Sequence, residues 1–364
     1  MRKSKYRDVA LITLITVVLL VSVEGVSSFV VAFSKLEGSR IVAERLHTEY
    51  DPLLGWINRP NIHVQDMYGP DKSLNTNSQR FRSDRDFDSD VPACKRRWIC
   101  SGDSFTFGFG VDDDRTWCAL LSSMVPNTET VNMGQGGYGL DQAYLWYMRD
   151  GISLQHDLVI LAFVTDDINR MASDQFLGYP KPLLSVQDQQ ILTPAAPLPE
   201  PRLLDRVLPR YRPFIARLAV MQLLDKALGR ERVANVSLNN NQLLELTLSI
   251  FASVNGFSKK HDRTALLVHL PVQDDYKDSP NLNEVMDFFT VSTKQNGWIY
   301  YNLVDDFKKL MPHEVPQLFI QQDLPGFNGS RGHYTEKGNQ YIAELIVRHL
   351  SGNPATAEYV HARD

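Results

Sequence analysis

Short β-rich runs that alternate with helical patterns constrain this chain more than any other feature. Strands are read at 96–101, 130–133, 158–164, 265–270 and 298–302. Helical periodicity falls between them at 116–124, 140–148, 242–257 and 283–295. A last helix, at 336–350, follows Thr335 as its N-cap. A helix after a strand carries the chain back along the sheet, so the next strand pairs in parallel. Repeated along the chain, that order predicts an α/β fold, a parallel sheet with helices on its faces.

The N-terminus bears on location. Arg2, Lys3, Lys5 and Arg7 precede an apolar run at 9–33 whose one charge is Glu24. At helical rise the run is about 37 Å long, enough to cross a bilayer with tilt. The basic flank favours the cytoplasmic side, so the remainder is expected to be periplasmic or otherwise extracytoplasmic. The alternative is a cleaved signal peptide with its apolar core at 9–23, although no Ala-x-Ala site follows. The expected organisation is a membrane anchor at 1–34, then a juxtamembrane helix and an irregular arm at 35–91. The main domain spans 92–350 with an insertion at about 171–241, and 351–364 is a mobile tail. The insertion contains a Pro-rich stretch at 194–201 and an amphipathic run at 213–228, read as a cap over a site or a membrane-surface element.

A net charge of −5 excludes a protein that grips phosphate backbones through bulk charge, so no nucleic-acid partner is expected. Cys94, Cys100 and Cys118 have no C-x-x-C spacing, and their odd number excludes a framework that pairs every cysteine. Cys94 and Cys100 lie on or beside one strand, about 20 Å apart at strand rise, too far to bridge.

In an open parallel sheet, ligands bind beyond the carboxyl ends of the strands. The first strand runs into Gly102-Asp103-Ser104-Phe105, and the second into Gly134-Gln135-Gly136-Gly137-Tyr138-Gly139. The third runs into Thr165-Asp166-Asp167-Ile168-Asn169, and the loop after the fifth reaches Gly332-His333-Tyr334-Thr335. A serine, a glycine loop, a polar pair and a histidine therefore converge on one edge. Acyl transfer needs this set. A hydroxyl becomes a nucleophile when a neighbouring base takes its proton, which makes Ser104 and His333 the candidates. Backbone N–H groups at Ser104 and Gly137 are candidate donors to the tetrahedral oxyanion.

Gly102-Asp103-Ser104-Phe105 resembles the first block of the SGNH/GDSL hydrolases. Asn132-x-Gly134-x-x-Gly137 is similar to their second block, and Gly332-His333-Tyr334-Thr335-Glu336 to their fifth. The arm segment Asp51-Pro52-Leu53-Leu54-Gly55-Trp56 resembles membrane-anchored members. The resemblance covers about 98–350. It implies a three-layer α/β/α sandwich around a five-stranded, flavodoxin-like sheet, with Ser104 as nucleophile and oxyanion donor, Gly137 as second donor and His333 as base. Two positions depart from the pattern. The third block offers an Asn before an Asp, and Asp166 stands in its place. An ionised carboxylate cannot donate, so Asp166 must be protonated, turned away or replaced by a donor such as Asn169. The usual acid three residues before the histidine is Ser330 here. Asp323, with Pro325, Gly326, Asn328 and Gly329 behind it, is expected to loop back and orient His333; otherwise a backbone carbonyl orients the ring.

Plainer readings stand beside these. Ser104 is also a helix N-cap type. His269, on an apolar strand, reads as a core histidine. Asp112-Asp113-Asp114 reads as a solvated turn before a helix rather than a metal site. Phe105, Phe107 and Phe109 line an acyl pocket or pack a core. Gly134-x-Gly136-x-x-Gly139 also fits a dinucleotide-binding loop, which would make the chain an oxidoreductase. A third class is a binding or assembly protein whose catalysis has decayed. The preferred reading is a membrane-anchored serine esterase or O-acyltransferase, without metal or organic cofactor. Its expected substrate is an ester of a glycan or lipid, with O-acetyl groups of surface glycans favoured.

Overall fold

The computed structural model describes residues 2–38, 46–177, 179–188, 190–193, 197–200, 238–277, 280–325 and 327–361. The chain divides into a unit that holds the N-terminal helix and a larger unit that holds Val42–Glu200 with Val233–Asp364.

Helix α1 spans Arg2–Gly38, so it runs without a break into the start of the expected juxtamembrane segment, whose residues 39–45 lie outside the described ones. Its window Tyr6–Val23 has a mean hydropathy of 2.0 and none of it is buried. The helix is long and apolar enough to span a membrane. Thr13, Thr16 and Ser22 donate their hydroxyls to carbonyls four residues back, which satisfies them without water.

In the larger unit, β1 (Arg96–Gly102), β2 (Thr128–Gly134), β3 (Leu158–Phe163), β4 (Thr264–His269) and β5 (Ile299–Asn302) form one sheet in the order β5-β4-β3-β1-β2. Every pairing in it is parallel. The main helices are α2 (Trp117–Met124), α3 (Leu140–Arg149), α4 (Asn240–Lys260), α5 (Pro280–Asn296) and α6 (Glu336–Gly352). Alternate strand residues serve different layers, as a period of two requires. Trp98, Cys100, Ile160 and Val268 share a core with Trp117 and Leu121 of α2 and Ala343 and Ile346 of α6. Their neighbours meet the other layer: Ser101 donates its hydroxyl to the Ala143 carbonyl of α3 at 3.0 Å. Phe163 packs against Phe251 of α4 at 6.2 Å and Phe289 of α5 at 5.7 Å. This is the three-layer sandwich that the strand order implies.

Two segments differ from the sequence expectation. The arm is not irregular. Thr48–Asp51 pairs with Gly55–Asn58, and Ile62–Val64 with Leu74–Thr76, as antiparallel hairpins. Its Asn and Asp residues mark turns instead of missing strands: Asn61, Asp66 and Asp71 hold φ near +50 to +60°. The segment after Ser351 is tied down. Tyr301 and Thr356 hydroxyls pair at 2.7 Å, and Tyr359 donates to Thr264 at 2.7 Å, at the amino edge of the sheet. Cys100 of β1 and Cys118 of α2 are disulfide-bonded, with Cα atoms 6.2 Å apart, and Cys94 is free. In the insertion, Gln175–Phe176 pairs with Tyr179–Pro180 and Ser185–Gln187 with Gln190–Leu192. The amphipathic run at 213–228 lies outside the described residues, as does part of the Pro-rich stretch.

Candidate active site

The nucleophile turn grows from the end of β1. Asp103 accepts the Phe105 N–H at 2.8 Å and caps the short helix Ser104–Phe107. Gly108 ends it in the left-handed region, φ +88°, and donates to the Ser104 carbonyl. The turn sits directly on β2: a Cβ at Gly134 would fall 2.1 Å from the Phe107 nitrogen, so glycine is required there. Asn132 clamps the same junction. Its amide donates to the Thr106 carbonyl at 2.9 Å, and its carbonyl oxygen accepts the Gly134 N–H at 2.9 Å.

His333 comes from the loop before α6, held by the pair Ile320 N–H to His333 carbonyl and Gly332 N–H to Ile320 carbonyl, each 2.8 Å. Its Nε2 lies 2.7 Å from Ser104 Oγ, although 229 residues separate the two. Its Nδ1 lies 3.2 Å from the Ser330 carbonyl. A carbonyl can only accept, so that contact places the ring proton on Nδ1 and leaves Nε2 free to take the serine proton. Phe105 and Phe109 brace the ring at centroid distances of 4.7 and 5.2 Å.

Asp323 corrects the sequence expectation. It is exposed, and its carboxylate accepts the Gly329 N–H at 2.9 Å and the Arg331 N–H at 3.0 Å. Those bonds, the Arg331 N–H foremost, hold its pKa below the ordinary carboxylate value. Asp323 therefore clasps the amides on either side of Ser330, whose carbonyl faces His333. The expected direct contact with the ring is replaced by one routed through the loop.

Hydrogen bonds use up nearly every amide of the glycine loop. Gly134 donates to Asn132, Gln135 to the Gly102 carbonyl, Gly136 to the Gln135 side chain, Tyr138 to the Gln135 carbonyl and Gly139 to the Gln142 side chain. Among the described residues the Gly137 amide donates to none, and Gly137 holds φ +75°. The Ser104 amide, at the first position of its helix, is likewise unspent. The same loop accounts for the dinucleotide-like spacing. The amides that would cradle a pyrophosphate are committed, and the arm covers the loop: Trp56 Nε1 donates to the Gly136 carbonyl at 2.9 Å, and Gln135 to Asn58 at 2.7 Å.

Asp166 and Asn169 both lie on the short helix Thr165–Arg170 with exposed side chains. The Asn169 amide is 3.5 Å from the Asp166 carboxylate, a loose contact. The structure brings neither into the hydrogen bonds of Ser104, Gly137 or His333.

The remaining sequence candidates resolve as packing. His269 is fully buried, stacked on Phe163 at 4.6 Å and bonded to Thr165 at 3.0 Å, and burial pushes its pKa down to about 3. Phe107 and Phe109 join Tyr68, Leu74 and Phe327 in a small core. The expected solvated turn at 112–114 is instead a tie to the arm. Asp112 accepts the Ser73 N–H at 3.0 Å, and Asp113 accepts Asn75 and Arg82 Nε, each at 2.7 Å through its side chain. The sequence reading missed two residues of this region. Arg82, from the arm, is buried and donates to the carbonyls of Phe107 (2.7 Å), Gly108 (2.6 Å) and Val111 (2.6 Å), behind the nucleophile turn. Arg170 meets Asp103, Asp167 and the Tyr138 carbonyl. Its i,i+3 spacing from Asp167 was the only local signal.

No family model and no curated protein matches the chain. Solved structures similar to it include a lipolytic protein of the G-D-S-L family from Veillonella parvula, at 13% identity and a TM-score of 0.39, covering 70% of this chain and 97% of that one. A lipase/acylhydrolase from Enterococcus faecalis, at 11% identity and 0.41, covers 74% of this chain and 99% of that one. An acetylxylan esterase from Geobacillus stearothermophilus, at 10% identity and 0.38, covers 74% and 97%.

Proposed function

We propose that this protein is a membrane-anchored serine esterase or O-acyltransferase that works through an acyl-enzyme on Ser104. One observation carries the reading: the 2.7 Å contact between Ser104 Oγ and His333 Nε2 at the carboxyl edge of the sheet. As Ser104 Oγ attacks an ester carbonyl carbon, its proton passes to His333 Nε2. The imidazolium keeps its Nδ1 proton on the Ser330 carbonyl, which a dyad uses in place of a carboxylate. The carbonyl oxygen becomes an oxyanion and takes the free amides of Ser104 and Gly137. When the tetrahedral species collapses, the alcohol oxygen leaves with the proton from His333. Water or a second hydroxyl then attacks the acyl-enzyme by the same route and restores Ser104.

The substrate class is an acyl ester, with O-acetyl groups of surface glycans the preferred case. An acetylxylan esterase among the similar folds agrees with that preference, and the location supports it. Helix α1 carries four of its five basic residues ahead of the apolar run, which supports a catalytic unit outside the cytoplasm. The Cys100–Cys118 disulfide suits an oxidising compartment. The test is turnover of small aryl acetates and of acetylated xylan by the full chain in detergent, with release of acetate measured beside transfer to an added sugar. Retention of the protein on membranes through a carbonate wash checks the anchor. Folded protein with no turnover and no covalent labelling would favour the decayed binding protein.

A further inference from the structure

Arg170 has no place in the reaction as written, yet it touches the loops that follow β1, β2 and β3. We propose that Arg170 is a positioning residue that locks the nucleophile turn to the oxyanion loop; this rests on the esterase reading. Its Nη1 reaches Asp103 at 3.2 Å, the Tyr138 carbonyl at 2.9 Å, and Asp167. Asp103 follows β1 and caps the turn that carries Ser104. Tyr138 follows β2 and is the residue after Gly137. Asp167 follows β3 and accepts the Val164 N–H at 3.0 Å. One guanidinium nitrogen thus joins the ends of three neighbouring strands.

The electrostatics make this tie hard to replace. Asp103 and Asp167 are both buried, and two buried carboxylates repel each other unless a cation or a shared proton intervenes. Burial, and then Asp103, raise the Asp167 pKa, while Arg170 lowers it. The guanidinium face lies over the Phe176 ring at 5.4 Å, which fixes its plane. Gly139 gives it room: a Cβ there would approach the Arg170 Cβ to 3.3 Å. Arg170 contacts neither Ser104 Oγ nor His333, so it acts on the chemistry only through where it holds the amides of Ser104 and Gly137.

The consequence is a loss in kcat and not in KM, since the oxyanion forms only in the transition state. The full chain in detergent is compared with Arg170→Gln and Arg170→Lys. Hydrogen exchange is followed in peptides covering 103–108 and 135–139, with α5 as the internal control. Turnover of an aryl acetate is expressed per serine titrated with a fluorophosphonate. Exchange in both loops should speed by about 10-fold in Arg170→Gln and stay unchanged in α5. The kcat per titrated serine should fall about 100-fold, the scale of a 1 Å misplacement, with KM within about twofold. Arg170→Lys keeps the charge and part of the tie, and should recover part of both; it also serves if Arg170→Gln does not fold. Unchanged exchange in both loops overturns the proposal. So does unchanged kcat per titrated serine with only a smaller folded fraction. If the wild-type protein neither labels nor turns over, the esterase reading fails, and the exchange data alone decide whether Arg170 ties the loops.

Discussion

Asp323 offers the sharpest test of how the base is oriented. In the structure its carboxylate accepts two backbone N–H groups, from Gly329 and Arg331, and the residue between them presents its carbonyl to His333. A hydrogen bond of this kind contributes about 1 kcal/mol net, and less where solvent competes for an exposed carboxylate. Removing both in Asp323→Ala should therefore cost about 1–2 kcal/mol of local order, or about 5- to 30-fold in kcat. Asp323→Asn keeps an oxygen that can accept both N–H groups and loses only the charge, so kcat should fall by no more than about 3-fold. An acid that touched the ring would behave otherwise, because its removal costs about 10⁴ in kcat with the geometry intact. The assay is kcat and KM on an aryl acetate for both variants, with thermal denaturation to confirm the fold. A folded Asp323→Asn variant that loses about 10³-fold or more would refute the route through the loop and restore a direct triad.

Other expectations follow from buried groups. Arg82→Met removes the donor to three buried carbonyls and one of the partners of Asp113, and should destabilise the protein by about 2–4 kcal/mol, seen as a lower denaturation midpoint. Burial lifts the Asp275 pKa to about 6, above its unfolded value, so it lowers stability as pH rises from about 4 to about 6. Asp275→Asn, which keeps an acceptor for the Val272 N–H, should flatten that slope and raise the midpoint at pH 7 but not at pH 4, checked by thermal melts across the range. Replacing Cys100 and Cys118 together by Ala opens a loop of sequence separation 18 and should cost about 3 kcal/mol, measured as the shift in denaturant midpoint.

The sheet was legible because its strands are short apolar runs with turn residues at their ends. Each observed strand lies within two residues of its expected bounds. Ser104 was legible as a candidate because it follows β1 where the chain must turn, and His333 because it lies in the loop just before the capped helix α6. What stayed hidden depends on partners that leave no mark in a sequence. Arg82 binds backbone carbonyls, and any residue type supplies those. Asp323 reads as an acid for the ring because side chains can be counted in a sequence and loop amides cannot. Cys100 and Cys118 meet only after β1 and α2 stack. The tail reads as free because its partners are distant in sequence: Tyr301 and Thr264 for its hydroxyls, and Arg96 for the Tyr359 carbonyl.

Covalent labelling tests the central claim most directly. The full chain in detergent is treated with a fluorophosphonate, digested, and the modified peptide is mapped by mass spectrometry. The account predicts one adduct, on Ser104, absent from Ser104→Ala and slowed by orders of magnitude in His333→Ala, both variants keeping the wild-type fold. Stoichiometric labelling at another serine, or a folded Ser104→Ala variant that hydrolyses aryl acetates at the wild-type rate, would contradict it.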